Sequence, residues 1–413
     1  MPSLQKIYDD TSPGVILEIA TGIVARKLAK KGVRFTPALK RKLKKWLGAG
    51  IETDFVVGRC GPNKQITVTF TTRDFRRLRG QFSRLMTERT TIAATEMTMR
   101  LARPTLRKIR TAWKAGAKHE LKSTVRFERR LAGRWRTPLN LLELQLQLAR
   151  ETGGELNDEL RGRNKRKLSA LVDSLTRLHA RCCLITGEVV ALIRAGYANG
   201  AMTRWRSLHE ATVVMDLLSK HGNDLAKRYL DYDAVDSWRA AEQYNKFSDQ
   251  LGLVKYTDSE LAAIKAKFDA AVLRHGPGFD KTNGWVASIL PKKKIDFLDL
   301  EAAADLSHLR PYYKLASHGV HAGPKGVLFE IGLVTNESLL LVGPSNFGFT
   351  DPGHNAALAL NRATAILLMQ AITDERMLTM QVMTELTRDI GHAFLKVQKR
   401  IRAIEEANRS AVP

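Results

Sequence analysis

Several hallmarks of other protein classes are missing from this 413-residue chain. No apolar run is long enough to span a membrane, and the opening residues lack the basic-then-apolar pattern of a secretory signal. The three cysteines, two of which are adjacent, match neither a disulfide framework nor a zinc-binding spacing. We therefore expect a cytoplasmic protein in a reducing environment.

Sequence motifs of the common nucleotide- and zinc-dependent enzymes are also missing. The chain contains no GxxxxGK[ST] phosphate-binding loop, no GxGxxG dinucleotide fingerprint and no zinc signature. These absences argue against an ATPase, a dehydrogenase or a zinc enzyme. We predict that the protein uses no cofactor.

Acidic residues are scarce in the first third of the chain. Residues 1–140 contain 32 Lys and Arg against 10 Asp and Glu, a net charge of +22, and the whole chain carries +25. An excess of this kind attracts polyanions, because binding releases their condensed counterions. We predict nucleic acid as the partner, RNA more than DNA. The alternatives are an anionic membrane, an acidic protein partner, or a surface that only confers solubility.

Arginine-rich helical patterns between Arg73 and Arg136 carry much of this charge. Aromatic residues such as Phe75 and Trp113 interleave with the arginines, a pattern that suits phosphate contact plus base stacking. We favour the simpler interpretation for the aromatic residues, which is that they face inward while the arginines face solvent. The predicted nucleic-acid-binding residues are Arg73, Arg76, Arg77, Arg79, Arg107, Lys108, Arg110, Arg129 and Arg130.

The spacing of apolar residues predicts a mostly α fold. Residues 1–140 are expected to form a basic N-terminal α+β part, and residues 160–413 a helical-bundle body. The boundary is predicted in the polar segment 137–160, which Gly153 and Gly154 interrupt. One small β-hairpin is predicted in each part, from "TDFVVGRCGPNKQITVTF" in the first and "GVLFEIGLV" with "ESLLLVGP" in the second.

One predicted helix carries two charges on an otherwise apolar stripe. In "RWRSLHEATVVMDLL", Arg206 and Glu210 share a face with Val213 and Leu217. A charged pair at core-facing positions has two explanations. It either locks the register of the helix, or forms half of a functional site.

The later segment "YYKLASHGVHAGP" supplies groups that would complete such a site. Read as one helix ending at Gly323, it brings Tyr313, Ser317 and His321 within reach of one another. A histidine moves protons near neutral pH, and an arginine binds phosphate. These chemistries suit metal-independent RNA cleavage, in which the 2′-hydroxyl is the nucleophile. The predicted catalytic set is His321, Arg206, Glu210, Ser317 and Tyr313.

Two other interpretations of this set remain open. In the first, the charged residues and His321 form a core polar network without chemistry. In the second and weaker one, His318, His321 and Glu210 bind a metal ion. Helical di-iron sites use Glu-x-x-His pairs, but the residues three positions before the two histidines are Leu315 and His318.

The motifs "RSLHEATVVMDLL", "RYLDYD" and "YYKLASHGVHAGP", in this order, resemble the bacterial family called domain of unknown function 5677. The resemblance covers roughly residues 165–375 and leaves out the basic first third. It implies a helical body with an R-x-x-x-E helix and a Y-x-x-x-S-x-x-x-H helix, but no function. A looser analogy is to HEPN-type helical ribonucleases of toxins and phage defence, which carry an Arg-x4–6-His motif. This chain departs from that motif, because Arg310 precedes His318 by eight positions.

These patterns together predict a nucleic-acid-binding protein with a metal-independent ribonuclease site in its helical body, acting in phage defence or as a toxin. The rival prediction is a non-catalytic module that binds nucleic acid or protein. In that case the body forms a homodimer or docks a partner, and the Arg–Glu–His cluster is structural.

Overall fold

The computed structural model describes residues 4–50, 53–59, 65–162, 168–334 and 340–410. The chain divides into two compact units, Met1–Lys122 and Ser123–Pro413. The division falls inside one long helix. The prediction of a mostly α fold is confirmed, because helices dominate both units.

The N-terminal unit combines helices with one hairpin. Its elements are α1 (Leu4–Ala29), α2 (Pro37–Gly48), β1 (Asp54–Arg59), β2 (Gln65–Thr69) and most of α3 (Thr72–Arg134). The start of α2 follows from its sequence: the hydroxyl of Thr36 accepts a hydrogen bond from the backbone N–H of Leu39, and Pro37 occupies the first turn. These two residues therefore mark the beginning of the helix.

The predicted hairpin of the N-terminal unit is confirmed as the antiparallel pair β1–β2. Phe55 lies opposite Val68, and both side chains are buried, whereas Val56 faces solvent. Because of this alternation, one face of the hairpin is exposed to solvent and the other packs on the core. The core is completed by apolar residues of the three helices, which include Val15, Ile19, Ile23, Val24, Leu28, Leu43 and Met86.

The C-terminal unit is a helical bundle with short helices on its side. After the end of α3 its elements are α4 (Arg136–Arg161), α5 (Ala170–Arg194), α6 (Ala198–Asp231), α7 (Asp233–Leu251), α8 (Asp258–His275), α9 (Phe297–Ala303), α10 (Arg310–His318), α11 (Pro324–Leu328), α12 (Thr350–Leu368) and α13 (Asp374–Ser410). Helix α5 packs along α6, and α12 packs against α4, α5, α6 and α13. The short helices α9 and α10 pack on α6.

A buried histidine lies where α4, α5 and α12 meet. His179 of α5 is 3% exposed, and its Nε2 lies 3.0 Å from the hydroxyl of Thr364. Its ring fills the space beside Gly153 of α4, where a Cβ atom would lie 2.5 Å from the imidazole. Burial lowers the pKa of His179 to about 4, so the ring is neutral at physiological pH.

The segment 137–160, in which we expected the domain boundary, is helical and part of the C-terminal unit. It forms most of α4, whose Leu139, Leu142 and Leu146 are buried in the core of that unit. The division instead follows Lys122, well inside α3. Composition does not reveal this division, because the basic character of α3 continues on both sides of it.

The second predicted hairpin, in segments 326–334 and 337–344, is wrong for the described residues. Residues 324–328 form α11, no strand occurs in 326–334 or 340–344, and 335–339 lie outside the described residues. The backbone finds its partners elsewhere in the unit: the N–H of Ile331 donates to Asn199, and that of Ser345 donates to the carbonyl of Gly196. The high β-propensity of these apolar segments therefore gave a wrong prediction of strands, because the backbone is paired through tertiary contacts instead.

Among the described residues, no helix is both long enough and apolar enough to cross a membrane.

Candidate functional site

The charged pair predicted on α6 forms as expected. The Nε atom of Arg206 lies 3.0 Å from Oε1 of Glu210, one helical turn away. The side chains are 22% and 39% exposed, so the pair lies at the edge of the core rather than inside it. Water can therefore screen the pair, which lowers its contribution to stability.

Tyr313 of α10 joins this pair. Its hydroxyl donates a hydrogen bond of 2.8 Å to the same Oε1 atom of Glu210. The guanidinium carbons of Arg206 and Arg310 lie 4.6 and 5.0 Å from the centre of its ring, and Phe297 stacks on it at 4.8 Å. Burial and the bond to Glu210 raise the pKa of Tyr313 to about 12, so its hydroxyl stays a donor at neutral pH.

The other two residues of the predicted catalytic set do not join the cluster. The hydroxyl of Ser317 donates to the carbonyl of Tyr313 at 2.8 Å, within its own helix. Helix α10 ends at His318, and His321 lies beyond it with an exposed side chain. No hydrogen bond among the described residues links the imidazole of His321 to Arg206 or Glu210. The contacts of the described residues thus join Arg206, Glu210 and Tyr313, and the catalytic role of the five-residue set stays a prediction.

Two glycines lie in close contact with other backbone and side-chain atoms just after α10. Gly319 lies so close to α6 that a Cβ atom would be 2.6 Å from the hydroxyl of Thr203. The chain then folds back, and the backbone of Gly326 packs against the carbonyl of His318, where a Cβ atom would lie at 2.1 Å. These contacts leave no room for a Cβ atom at either glycine, and they hold the segment that contains His321 against α6 and the end of α10.

The metal alternative has no support from the geometry. Within the described ranges, no group of three or more His, Cys, Asp or Glu residues is arranged to hold a metal ion. His318 is half-buried, His321 is exposed, and the carboxylate of Glu210 is held by Arg206 and Tyr313. The proposed ligands His318, His321 and Glu210 are therefore not brought together.

Sequence reasoning missed a buried network on the neighbouring face of α6. The Nε2 atom of His209 lies 2.9 Å from Oε1 of Glu301, and these side chains are 1% and 0% exposed. Arg310 donates to Oε2 of Glu301 at 2.6 Å. Because Arg310 also lies over the ring of Tyr313, the network is continuous with the Arg206–Glu210 pair.

The protonation of His209 follows from this environment. Burial lowers its pKa, and the opposing effect of Glu301 is smaller. The neutral imidazole then donates its Nε2 proton to the carboxylate of Glu301, which leaves Nδ1 as the acceptor. Glu301 therefore accepts one neutral and one charge-assisted hydrogen bond, and this satisfies a carboxylate that would be costly to bury alone.

The comparison of Arg310 with His318 missed one Arg-x4–6-His spacing that this chain does contain. Arg204 and His209 are separated by four residues, which falls within the Arg-x4–6-His spacing. In the structure, however, Arg204 pairs with Glu188 and His209 with Glu301. The two side chains therefore serve different carboxylates. No signal in the sequence identified Glu301, which lies 92 residues beyond His209.

A cavity of about 330 Å³ lies beside this network. His209 and Trp205 stack at 5.3 Å, and the indole N–H of Trp205 donates to the carbonyl of Asn355 at 3.0 Å. Arg362 is held by the carboxylate of Asp216 through two of its nitrogens. The polar residues that line the cavity are His209, Thr212, His308, Asn355, Asn361 and Arg362. This mixture of apolar wall and convergent polar groups suits a small polar ligand.

All nine predicted nucleic-acid-binding residues lie on α3 with exposed side chains. The helix carries 18 Lys and Arg against five Asp and Glu. Seven of the nine belong to the N-terminal unit, and Arg129 and Arg130 belong to the C-terminal unit. The predicted cations therefore remain available to a partner along this helix.

Most of the aromatic residues between these cations pack inward, as predicted. Phe75 packs against the core of the N-terminal unit, and Trp135 is fully buried in the C-terminal unit. Trp113 is the exception, because 61% of its surface is exposed. An indole left this open on a surface helix requires an explanation other than core packing.

A family model described as "Family of unknown function (DUF5677)" matches residues 173–336. No curated protein and no solved structure matches the chain. The matched segment contains Arg206, His209, Glu210, Glu301 and Tyr313, and it includes none of α3. The analogy to HEPN-type ribonucleases stays a prediction. The resemblance predicted from the three motifs is confirmed over residues 173–336, the segment that this family model matches.

Proposed function

We propose that the protein binds nucleic acid through exposed cations of α3, and that the polar cluster of its helical body is structural. The observation that carries the proposal is the basic segment, defined as residues 100–122 of α3. It holds eight Lys and Arg and a single acidic residue, Glu120. All eight cations are exposed: Arg100, Arg103, Arg107, Lys108, Arg110, Lys114, Lys118 and Lys122.

Within one chain, no described carboxylate neutralises the charges of the basic segment. Earlier in α3, Arg89 contacts the carboxylate of Glu18. In contrast, none of the eight cations forms an ion pair with a carboxylate of the described residues. At 1.5 Å per residue the segment is about 33 Å long, so its charge density is high enough to attract a phosphate backbone. A surface that only confers solubility would not need unpaired cations at this density.

The geometry of the body favours a structural role for the cluster. Arg206, Glu210 and Tyr313 satisfy one another, and Glu301 accepts from His209 and Arg310 inside the core. These contacts fix α9 and α10 against α6. The general acid–base of the predicted ribonuclease, His321, lies outside the cluster. A role of this protein in phage defence or as a toxin would require that it cleaves RNA.

The test is binding of labelled RNA and DNA to the full chain, measured by fluorescence anisotropy at fixed salt. The variant carries Arg107→Gln, Lys108→Gln and Arg110→Gln. The control carries Lys267→Gln, Lys293→Gln and Lys294→Gln, which removes three exposed cations from the C-terminal unit. We expect the variant to lose at least about tenfold in affinity, since each lost phosphate contact removes released counterions. The control should stay close to the wild type.

Two results would overturn the proposal. The first is a wild type that binds neither RNA nor DNA at low salt. The second is an equal loss in the variant and the control, which would mean that total charge matters and the basic segment does not. The choice of RNA over DNA rests on the analogy alone, so both are measured side by side.

The same preparation decides between binding and cleavage. We expect labelled RNA to remain intact in EDTA with wild type and with His321→Ala. Cleavage by the wild type that His321→Ala abolishes would contradict the structural role of the cluster and support the ribonuclease.

We propose a cytoplasmic location for the protein, in keeping with the two buried free thiols of Cys182 and Cys183.

A further inference from the structure

Helix α3 carries an exposed apolar seam in addition to its cations. The seam is defined by positions that repeat every seven residues and by the positions three residues after them. Its members are Ile92, Thr95, Met99, Ala102, Leu106, Ile109, Trp113 and Gly116. Ile92, Met99, Leu106 and Trp113 follow one another at intervals of seven residues. A seven-residue repeat of this kind is typical of helices that pair as coiled coils.

The seam is not used by the core of its own unit. The residues of α3 that pack on that core lie earlier in the helix and include Phe75, Leu78 and Met86. In contrast, Met99 is 71% exposed and Ile109 59%. The hydroxyl of Thr95 donates to the carbonyl of Thr91, so this residue also presents an apolar methyl group to the outside. Exposed apolar residues in a regular row mark an interaction surface.

The sizes of the seam residues indicate what covers them. All four first positions hold large residues, such as Trp113, and three of the four second positions hold small ones, such as Gly116; the exception is Ile109. If a second copy of α3 runs antiparallel, with the two-fold axis near residue 104, each first position meets a second position of the other copy. Large side chains then face small ones in three of the four kinds of layer, which are Trp113 with Thr95, Ile92 with Gly116, and Leu106 with Ala102. In the fourth, Met99 faces Ile109.

The charges beside the seam agree with the same arrangement. Glu96 is the only acidic residue between Ile92 and Trp113, and Arg110 occupies the equivalent position two repeats later. In the antiparallel pair, Glu96 of each copy lies beside Arg110 of the other, which gives two ion pairs across the interface. The same arrangement brings Arg103 of one copy close to Arg103 of the other, and this one like-charge contact is unfavourable. A parallel pair would instead place Trp113 against Trp113 and leave Glu96 without an arginine.

The area of the seam is close to what a dimer needs. Five large apolar side chains, each about half exposed or more, offer on the order of 500 Å² per helix. A symmetric pair therefore buries roughly 1,000 Å² of apolar surface before its flanking residues are counted, which approaches the lower limit of specific interfaces. We infer that two copies of this chain associate through antiparallel pairing of the seam. This inference does not depend on nucleic-acid binding.

The mass of the full chain in solution tests this inference. Protein freed of nucleic acid is measured by analytical ultracentrifugation at moderate salt, as wild type, Leu106→Glu and Leu121→Glu. Leu121 is exposed on the same helix but lies outside the seam, so it is the matched control. We expect a dimer for wild type and control. In Leu106→Glu, the dissociation constant should rise by about a hundredfold, because the change enters the interface twice.

Cysteine cross-linking tests the orientation. An equimolar mixture of Met99→Cys and Ile109→Cys chains should form the mixed disulfide, because these positions face each other in the antiparallel pair. Met99→Cys alone should not cross-link to itself. Self-linking of Met99→Cys would contradict the antiparallel arrangement. A wild type with the mass of one chain, or a dimer unaffected by Leu106→Glu, would overturn the inference as a whole.

Discussion

Replacing Glu301 by alanine tests whether the buried network holds the short helices on α6. The change leaves His209, which is 1% exposed, without its acceptor, and Arg310, which is 24% exposed, without its carboxylate. Breaking a buried charged pair from one side costs about 3–5 kcal/mol. Because water can reach Arg310, we expect the lower end of that range, about 3 kcal/mol.

The matched control is Glu210→Ala, which removes a carboxylate from the outer part of the same network. Its pair with Arg206 is 22% and 39% exposed, and a pair of this kind contributes less than about 1 kcal/mol. Loss of the bond from Tyr313 adds about 1 kcal/mol. We therefore expect Glu210→Ala to cost about 1.5 kcal/mol, half the cost at Glu301.

Urea unfolding at pH 7, followed by tryptophan fluorescence and circular dichroism, measures both changes. With a denaturant slope of roughly 3 kcal/mol per M for a unit of this size, Glu301→Ala should lower the midpoint by about 1 M. Equal midpoints for the two variants would refute the reasoning, because burial would then not distinguish the two carboxylates.

Two further predictions concern the contact between α4 and α5. Gly153→Ala should lower the free energy of unfolding by about 1–3 kcal/mol, because its Cβ would lie 2.5 Å from the ring of His179. A Cβ at Gly154 meets nothing within 4 Å, so Gly154→Ala should stabilise the helix by about 0.5–1 kcal/mol. Equal shifts of the melting temperature in these two variants would contradict the prediction. His179 has a pKa of about 4 when folded and about 6.5 when unfolded, so stability falls as pH drops from 6.5 toward 4 and is fully present above 6.5. Between pH 7 and pH 5 the wild type should lose about 2 kcal/mol more than His179→Gln; an equal loss would show that this imidazole does not control the pH dependence.

The sequence was most informative where local spacing determines structure. Arg206 and Glu210 are one helical turn apart, and the structure pairs them as their spacing predicts. The hairpin β1–β2 and the capped start of α2 likewise follow from short patterns of a few residues. These features depend on neighbours in the chain, which a single sequence displays directly.

Features that depend on tertiary contacts were not predictable. Helix α10 ends at His318, and the next residue, Gly319, packs against Thr203, which lies more than 100 positions earlier. The partner of His209 is Glu301, on a helix whose position no periodicity reveals. For the same reason the predicted set did not include Glu301. The exposure of Trp113 could not be distinguished from core packing, because both uses give the same spacing on a helix.

The measurement that tests the central claim most directly is the salt dependence of RNA binding by the full chain. If about six of the eight cations of the basic segment contact phosphates, the logarithm of the binding constant should fall with the logarithm of salt concentration at a slope near −4 for single-stranded RNA. The variant with Arg107→Gln, Lys108→Gln and Arg110→Gln should reduce that slope by about 2. A slope near zero, or an unchanged slope in this variant, would contradict binding through α3.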